Sequence, residues 1–220
     1  MHAAGAAAMS PEELVGATWR NLAHRQGASA AAAEAVLEEV IRAYREPARH
    51  YHTLAHIAVL LRQLEGHTAD LRNGDAVTLA IIFHDVVYDP RRPDNEQQSA
   101  AMAHRRLTAL GFAPNLIHRV ADYIEATQHG RELDTQDPDL ALLLDLDLST
   151  LAAAPDAYRL YASAIRREYG HVPDALYRLG RRQVLKGFLA RKHIYRTRRL
   201  AELWETRARV NINAEIAELT

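Results

Sequence analysis

Apolar residues recur every three to four positions along almost the whole chain, and nowhere do they alternate in and out over more than a few residues. That spacing dictates amphipathic helices and leaves no pattern from which a sheet could be built. "SPEE" at 10–13 is a capping box with Pro11 at the first helical position, and it opens a helix with Leu14, Val15, Thr18, Trp19 and Leu22 inward. An Ala-rich helix starts at Ser29 and ends at Glu46-Pro47. A third is predicted from about Tyr51 to about His67. "NGD" at 73–75 is a turn, with Asp75 placed to cap the helix "AVTLAIIFHDVVY", which is apolar on nearly every side and therefore buried. After the polar loop "DPRRPDN", further helices are predicted at 95–110, 114–127, 138–148, 155–169, 173–190 and 196–219, with Pro114, Pro138, Pro155 and Pro173 at four of their starts. No stretch reads as a linker or an internal repeat, so the expectation is a single all-α domain, a multi-helix bundle.

The 220 residues are 48% hydrophobic, enough for a core that needs no staples. There is no cysteine, which removes disulfides, thiolate nucleophiles and Cys-type zinc sites, and fits a reducing, cytoplasmic setting. Lys and Arg number 27 against 28 Asp and Glu, so net charge argues for neither nucleic acid nor a membrane surface. Apolar runs such as "AVTLAIIF" are too short to span a bilayer. The leading "MHAAGAAAMS" lacks the basic start and Leu-rich stretch of a secretion signal and reads as a ragged terminus, with Met9 as an alternative start. "GRRQVLKGFLARKHIYRTRR" at 180–199 is basic, but its charges are spaced around an amphipathic helix, and a solvated face is favoured over a nucleic-acid patch.

The chemistry lies in the histidines, twelve in all, and in a few carboxylates set within apolar helix. His52 and His56 are four apart and on a helix would share one face. His84 and Asp85 follow Ile81-Ile82-Phe83 directly; about 100° apart around a helix, both can reach one ion beside it. A cation would also explain a carboxylate at that position, since an unpaired buried Asp costs several kcal/mol or takes up a proton. Asp145 and Asp147 sit in "LALLLDLDLSTL"; diverging by about 200°, one can face a site while the other faces solvent or caps "STL". His129, at the end of another apolar helix, is a further candidate. Each element has a plainer reading: a salt-linked histidine face, a chance dipeptide, helix-end aspartates. It is their combination, in this order and each against apolar helix, that points to a metal.

The order H…H, HD, D in an all-helical chain resembles the HD-domain superfamily of metal-dependent phosphohydrolases, and "YHTLAH" followed by "HD" resembles the arrangement in cyclic-nucleotide phosphodiesterases, with Thr53 where that pattern has Asn. The chain looks most like a bacterial family of small predicted HD phosphohydrolases of undefined substrate, through "YREPARHYHTLAHI", "FHDVVYDP", "DNEQQSA", "LLDLDLSTL", "YASAIRREY" and "ETRARVNINAEI". The resemblance implies an HD-domain-like multi-helix bundle with an HD core over about 30–150 and a C-terminal helical extension over 155–220. It implies His56, His84, Asp85 and Asp147 as ligands of a divalent ion (Mn, Fe, Co, Ni, Zn or Mg), and a small phosphorylated substrate, a nucleotide being the first guess. In its phosphodiesterase-like version His52 is a general acid; shorter HD proteins have only one of the two histidines, so His52 and His56 can divide these roles either way. Glu96 is either a helix-start carboxylate or a partner of a metal water. Arg91, Arg92 and His129 are candidates for holding substrate, although the two arginines read first as solvated loop charges. Tyr44, Tyr51, Tyr88 and Tyr123 read as core or rim packing. Two other readings stand beside hydrolysis: an HD-fold di-iron oxygenase, and a non-catalytic, metal-containing ligand-binding module. A homo-oligomer is compatible with the apolar N-terminal helices.

Overall fold

A computed structural model describes residues 9–68, 71–128 and 135–219. Residues 1–8, where the terminus reading falls, and His129 lie outside the described residues. Among the described residues there are ten α-helices, one short 3-10 helix and no strand, as the periodicity demands. The helices are α1 (Pro11–Arg25), α2 (Ala30–Tyr44), α3 (Leu54–Glu65), α4 (Gly74–Phe83), α5 (Asn95–Ala109), α6 (Pro114–Ala126), α7 (Pro138–Asp147), α8 (Pro155–Glu168), α9 (Asp174–Ala190) and α10 (Arg198–Glu218), with the 3-10 helix Leu148–Ala152 following α7. No helix among them is long and apolar enough to cross a membrane.

α4 is the axis of the bundle. Ala76, Val77 and the run Leu79 to Phe83 are wholly enclosed, and α1, α3, α5, α6 and α7 all pack on it. A helix apolar all round has no solvated face to offer, so the others must surround it. Trp19 of α1 sets its ring edge-on to Phe83 and donates its indole N–H to the Ala33 carbonyl, tying α1, α2 and α4 together. Tyr44, at the end of α2, donates its hydroxyl to the Ile82 carbonyl. Further along the chain, α10 packs on the 3-10 helix, α8 and α9, and one apolar cluster runs from Val15 through to Ile212.

Local signals set most boundaries. Ser10 and Glu13 form the reciprocal capping box that opens α1. α1 and α5 end on Gly27 and Gly111, both at positive φ, and Ala28 N–H to Ala23 and Phe112 N–H to Leu107 close the last turns. Three expectations shift. The turn at 73–75 is capped by Asn73, whose side chain accepts from Ala76 N–H; Asp75 stands in the first turn and pairs with Arg25. α4 stops at Phe83, so His84 and Asp85 occupy the turn after it and their positions do not follow from helical angles. α3 begins at Leu54 behind a Thr53 cap, so His52 precedes the helix and does not share a helix face with His56.

Candidate metal centre

His56 enters from the first turn of α3, His84 and Asp85 from the turn after α4, and Asp147 from the last residue of α7. His56 Nε2 lies 3.3 Å from His84 Nε2, and Asp85 Oδ2 lies 3.0 Å from His84 Nε2 and 3.9 Å from His56 Nε2. Asp147 Oδ1 is 3.3 Å from His56 Nε2 and 3.4 Å from His84 Nε2. Atoms bound at about 2.0–2.2 Å to a common ion sit roughly 3 to 3.5 Å apart as neighbours, close to these spacings. The His56, His84 and Asp85 group could therefore hold a metal ion. His84 donates its Nδ1 proton to the Ile81 carbonyl at 2.9 Å, which leaves Nε2 as the nitrogen facing the cluster.

Electrostatics fit the same picture. Burial pushes His84 down, but the Asp85 and Asp147 carboxylates outweigh it and hold the imidazole well above its usual range. His56 is lowered, first by burial and then by the positive charge of His84, with Asp147 pulling the other way. Burial alone would raise Asp85; the surrounding imidazoles, His84 first, keep it well below the usual carboxylate range. Two imidazoles and two carboxylates drawn this close need a shared proton or a cation between them.

What fixes Asp85 is Arg49. Its guanidinium is buried and donates to the Asp85 carbonyl at 2.5 Å and the Val86 carbonyl at 2.9 Å. It thereby satisfies two carbonyls of the turn that follows α4. The loop beyond is stapled by Ser99, which accepts from Val87 N–H and donates to Val87 O, and by Asn95, which accepts from Asp89 N–H and donates to Asp89 O. Asp94 is the residue before α5, but its side chain makes no cap and pairs with Arg92 instead.

Asp145 and Asp147, at the end of α7, divide differently from either choice the sequence offers for the one turned from the site. Asp145 reaches neither solvent nor the "STL" turn: it is fully buried and accepts from the N–H groups of Arg196 and Thr197 and from the Thr197 hydroxyl, each at 2.7 Å. It anchors the start of α10, while Asp147 faces the histidines.

His52 sits 2.7 Å through Nδ1 from Glu168 Oε2, at the end of α8. The other oxygen of Glu168 accepts three backbone N–H groups, those of His50, Tyr51 and His52, at 2.7, 2.7 and 3.0 Å. Those N–H groups point to a carboxylate instead of starting a helical turn, which is why α3 begins later than its apolar pattern suggests. Tyr88 stacks on His52 with ring centroids 4.0 Å apart and donates its hydroxyl to Glu168 Oε2.

His52, His84, Asp85 and Asp147 open onto a cavity of about 510 Å³, within the range of small-molecule sites. Tyr51, Tyr88, Arg92 and Glu96 also line it; Tyr44 and Tyr123 belong to the core. Arg91 is not part of the lining: its side chain is 67% exposed and near Asp89. Of the two loop arginines, only Arg92 borders the space a substrate could occupy.

No protein-family model, curated protein or solved structure matches the chain. The geometry is therefore the whole of the case for a function. Two residues central to it are not singled out by sequence reading. Glu168 announces itself only as a carboxylate on the apolar stripe Tyr158, Tyr161, Ile165 of α8. Arg49 lies between Pro47 and the histidines, where a charged residue looks solvated until the turn after α4 is seen to need it.

Proposed function

We propose that the chain is a metal-dependent phosphohydrolase of the HD type acting on a small phosphorylated molecule. The observation that carries this reading is a pair of imidazole nitrogens 3.3 Å apart, each within 3.0–3.9 Å of both the Asp85 and the Asp147 carboxylate, at the wall of a cavity that His52 also lines. The donors, nitrogen and oxygen only, suit Mn, Fe, Co, Ni, Zn or Mg, with His56, His84, Asp85 and Asp147 as the residues that would hold the ion. A divalent ion held there would supply polarisation of a phosphoryl oxygen and a water acidic enough to attack near neutral pH.

The chain's own groups supply the rest. Asp85, at the cavity wall, accepts the hydrogen bond that aims the attacking water. His52 protonates the oxygen that leaves phosphorus. Burial pushes the His52 imidazole down, yet Asp85 and the hydrogen bond to Glu168 outweigh it and raise it, which favours the protonated ring that a general acid needs. Glu168 occupies Nδ1, leaving Nε2 to face the substrate. What favours a reactive site over a closed structural one is that His84, Asp85 and Asp147 all border the cavity.

The test is hydrolysis of a panel of nucleotides and simple phosphate esters by protein loaded in turn with each of the six metals. Turnover that disappears in Asp85→Ala and falls steeply in His52→Ala is the expected result. No phosphate release with any metal, or equal rates in Asp85→Ala, would overturn the reading.

A further inference from the structure

We infer that the cavity takes a ligand with one phosphate and an aromatic or aliphatic body, and is not built for a polyphosphate; this rests on the hydrolase reading for the phosphate end. The walls away from the ion cluster are rings and aliphatic chains: Tyr161, Ile165, Tyr169, Leu176, Tyr177 and Val184, all from α8, α9 and the segment that joins them or borders it. Leu176 and Val184 are 60% and 48% exposed, an apolar rim that no other part of the described chain covers.

Gly180 stands between them. Leu176, Gly180 and Val184 are spaced by four on α9, so they share the face that borders the cavity. A Cβ built on Gly180 would meet no atom within 4 Å, and its backbone has no positive φ. Neither packing nor conformation requires glycine there, and glycine inside a helix weakens it. What the missing side chain does is leave room at the mouth, between two aliphatic side chains.

The charges agree. Among the described residues, two arginines line the cavity and both already have partners: Arg181 donates to Glu215 at 2.8 Å with both side chains buried, and Arg92 pairs with Asp94 at 2.8 Å. The other charged lining groups, histidines aside, are the carboxylates Asp85, Glu96 and Asp147. A second or third phosphate would meet carboxylates and committed guanidiniums. A ring or alkyl chain would meet tyrosine faces and leucine.

The test is calorimetric titration of the full chain, with manganese present, using phenylphosphonate, hexylphosphonate, methylphosphonate and inorganic tripolyphosphate. The first two should bind at least about tenfold more tightly than methylphosphonate, and tripolyphosphate should bind more weakly than phenylphosphonate. Gly180→Phe, which fills the mouth, should bring hexylphosphonate and methylphosphonate within about threefold of each other. Val184→Asn, at a half-exposed side chain of the rim, should shrink the same ratio. Equal binding of all phosphonates, binding of none, or a preference for tripolyphosphate overturns the inference. If the expected order holds but phenyl phosphate is not hydrolysed, the ligand class stands and the hydrolase reading falls. If esters are hydrolysed but polyphosphates are preferred, the reverse is true.

Discussion

Glu168 Oε2 lies 2.7 Å from His52 Nδ1, although 116 residues of chain separate them. Burial would raise the Glu168 carboxyl, but His52 and the N–H groups of Tyr51 and His50 outweigh it and hold it down, at about 2 against an ordinary 4.5. A depressed carboxylate stabilises the fold above its unfolded value and loses that contribution as pH falls through the folded one, a difference of roughly 3 kcal/mol. His52, raised above 6.5 despite its burial by Asp85 and Glu168, contributes below that value and loses its share as pH climbs past its folded one. In metal-free protein, the stability gap between wild type and Glu168→Gln should therefore be widest between pH 4.5 and 6.5. It should narrow steadily below. Urea unfolding of both proteins across that range checks this; a gap that ignores pH would contradict it.

Metal binding should stabilise the folded chain. At a hundredfold excess over the dissociation constant the gain is about 2.7 kcal/mol, and for a chain of this length that lifts the unfolding temperature by roughly 5–10 °C. His84→Ala and Asp85→Ala should each abolish the lift. Scanning calorimetry with and without manganese or zinc decides it, and an undiminished shift in either variant would remove that residue from the ion's ligands.

Arg49→Met keeps bulk but deserts the carbonyls of Asp85 and Val86. Buried acceptors left without donors cost about 1–3 kcal/mol each, so the variant should lose roughly 2–4 kcal/mol in chemical denaturation and bind metal more weakly. Full metal affinity in a stable Arg49→Met protein would show that the turn holds Asp85 without help.

Asp145 and Asp147 should separate cleanly. Asp145→Ala strands the N–H groups of Arg196 and Thr197 and should destabilise by about 2–4 kcal/mol while leaving the metal-induced shift in place. Asp147→Ala should do the opposite. Paired denaturation and metal titration of the two variants read both effects, and metal loss in Asp145→Ala alone would reverse the assignment.

Gly180→Ala should stabilise the protein by roughly 0.5–1 kcal/mol, the ordinary helix-interior difference, because the added Cβ meets nothing. A loss of stability in thermal melts would mean that the helix uses this glycine.

The helices are legible because a buried α4 and its amphipathic neighbours write their period directly into the sequence; His84 and Asp85 are legible as polar interruptions of an apolar run, whereas only the family resemblance tells Asp147 from Asp145 and His56 is marked by its spacing from His52. The spacing of His52 and His56 predicts a shared helix face, whereas His52 reaches the cavity from the segment before α3. The groups that position the site are not legible in the sequence because each acts across a long stretch of chain. Glu168 reaches back to residues 50–52, Arg49 forward to 85 and 86, Asp145 forward to 196 and 197. Local periodicity carries no information about such pairings. The stretches "YASAIRREY" and "DNEQQSA" contain Glu168, Asn95 and Ser99, but their sequence alone does not say which backbone groups these side chains serve.

Every donor of the ion cluster lies at or before Asp147, whereas the tyrosines and aliphatics that close the far side of the cavity come after Pro155. The groups that could hold a cation and the apolar wall facing them are thus written on consecutive lengths of polypeptide. Glu168 ties the two, reaching back from α8 to His52, so changes to the later length that spare Glu168 would alter the apolar wall and leave the histidine and aspartate cluster as it is.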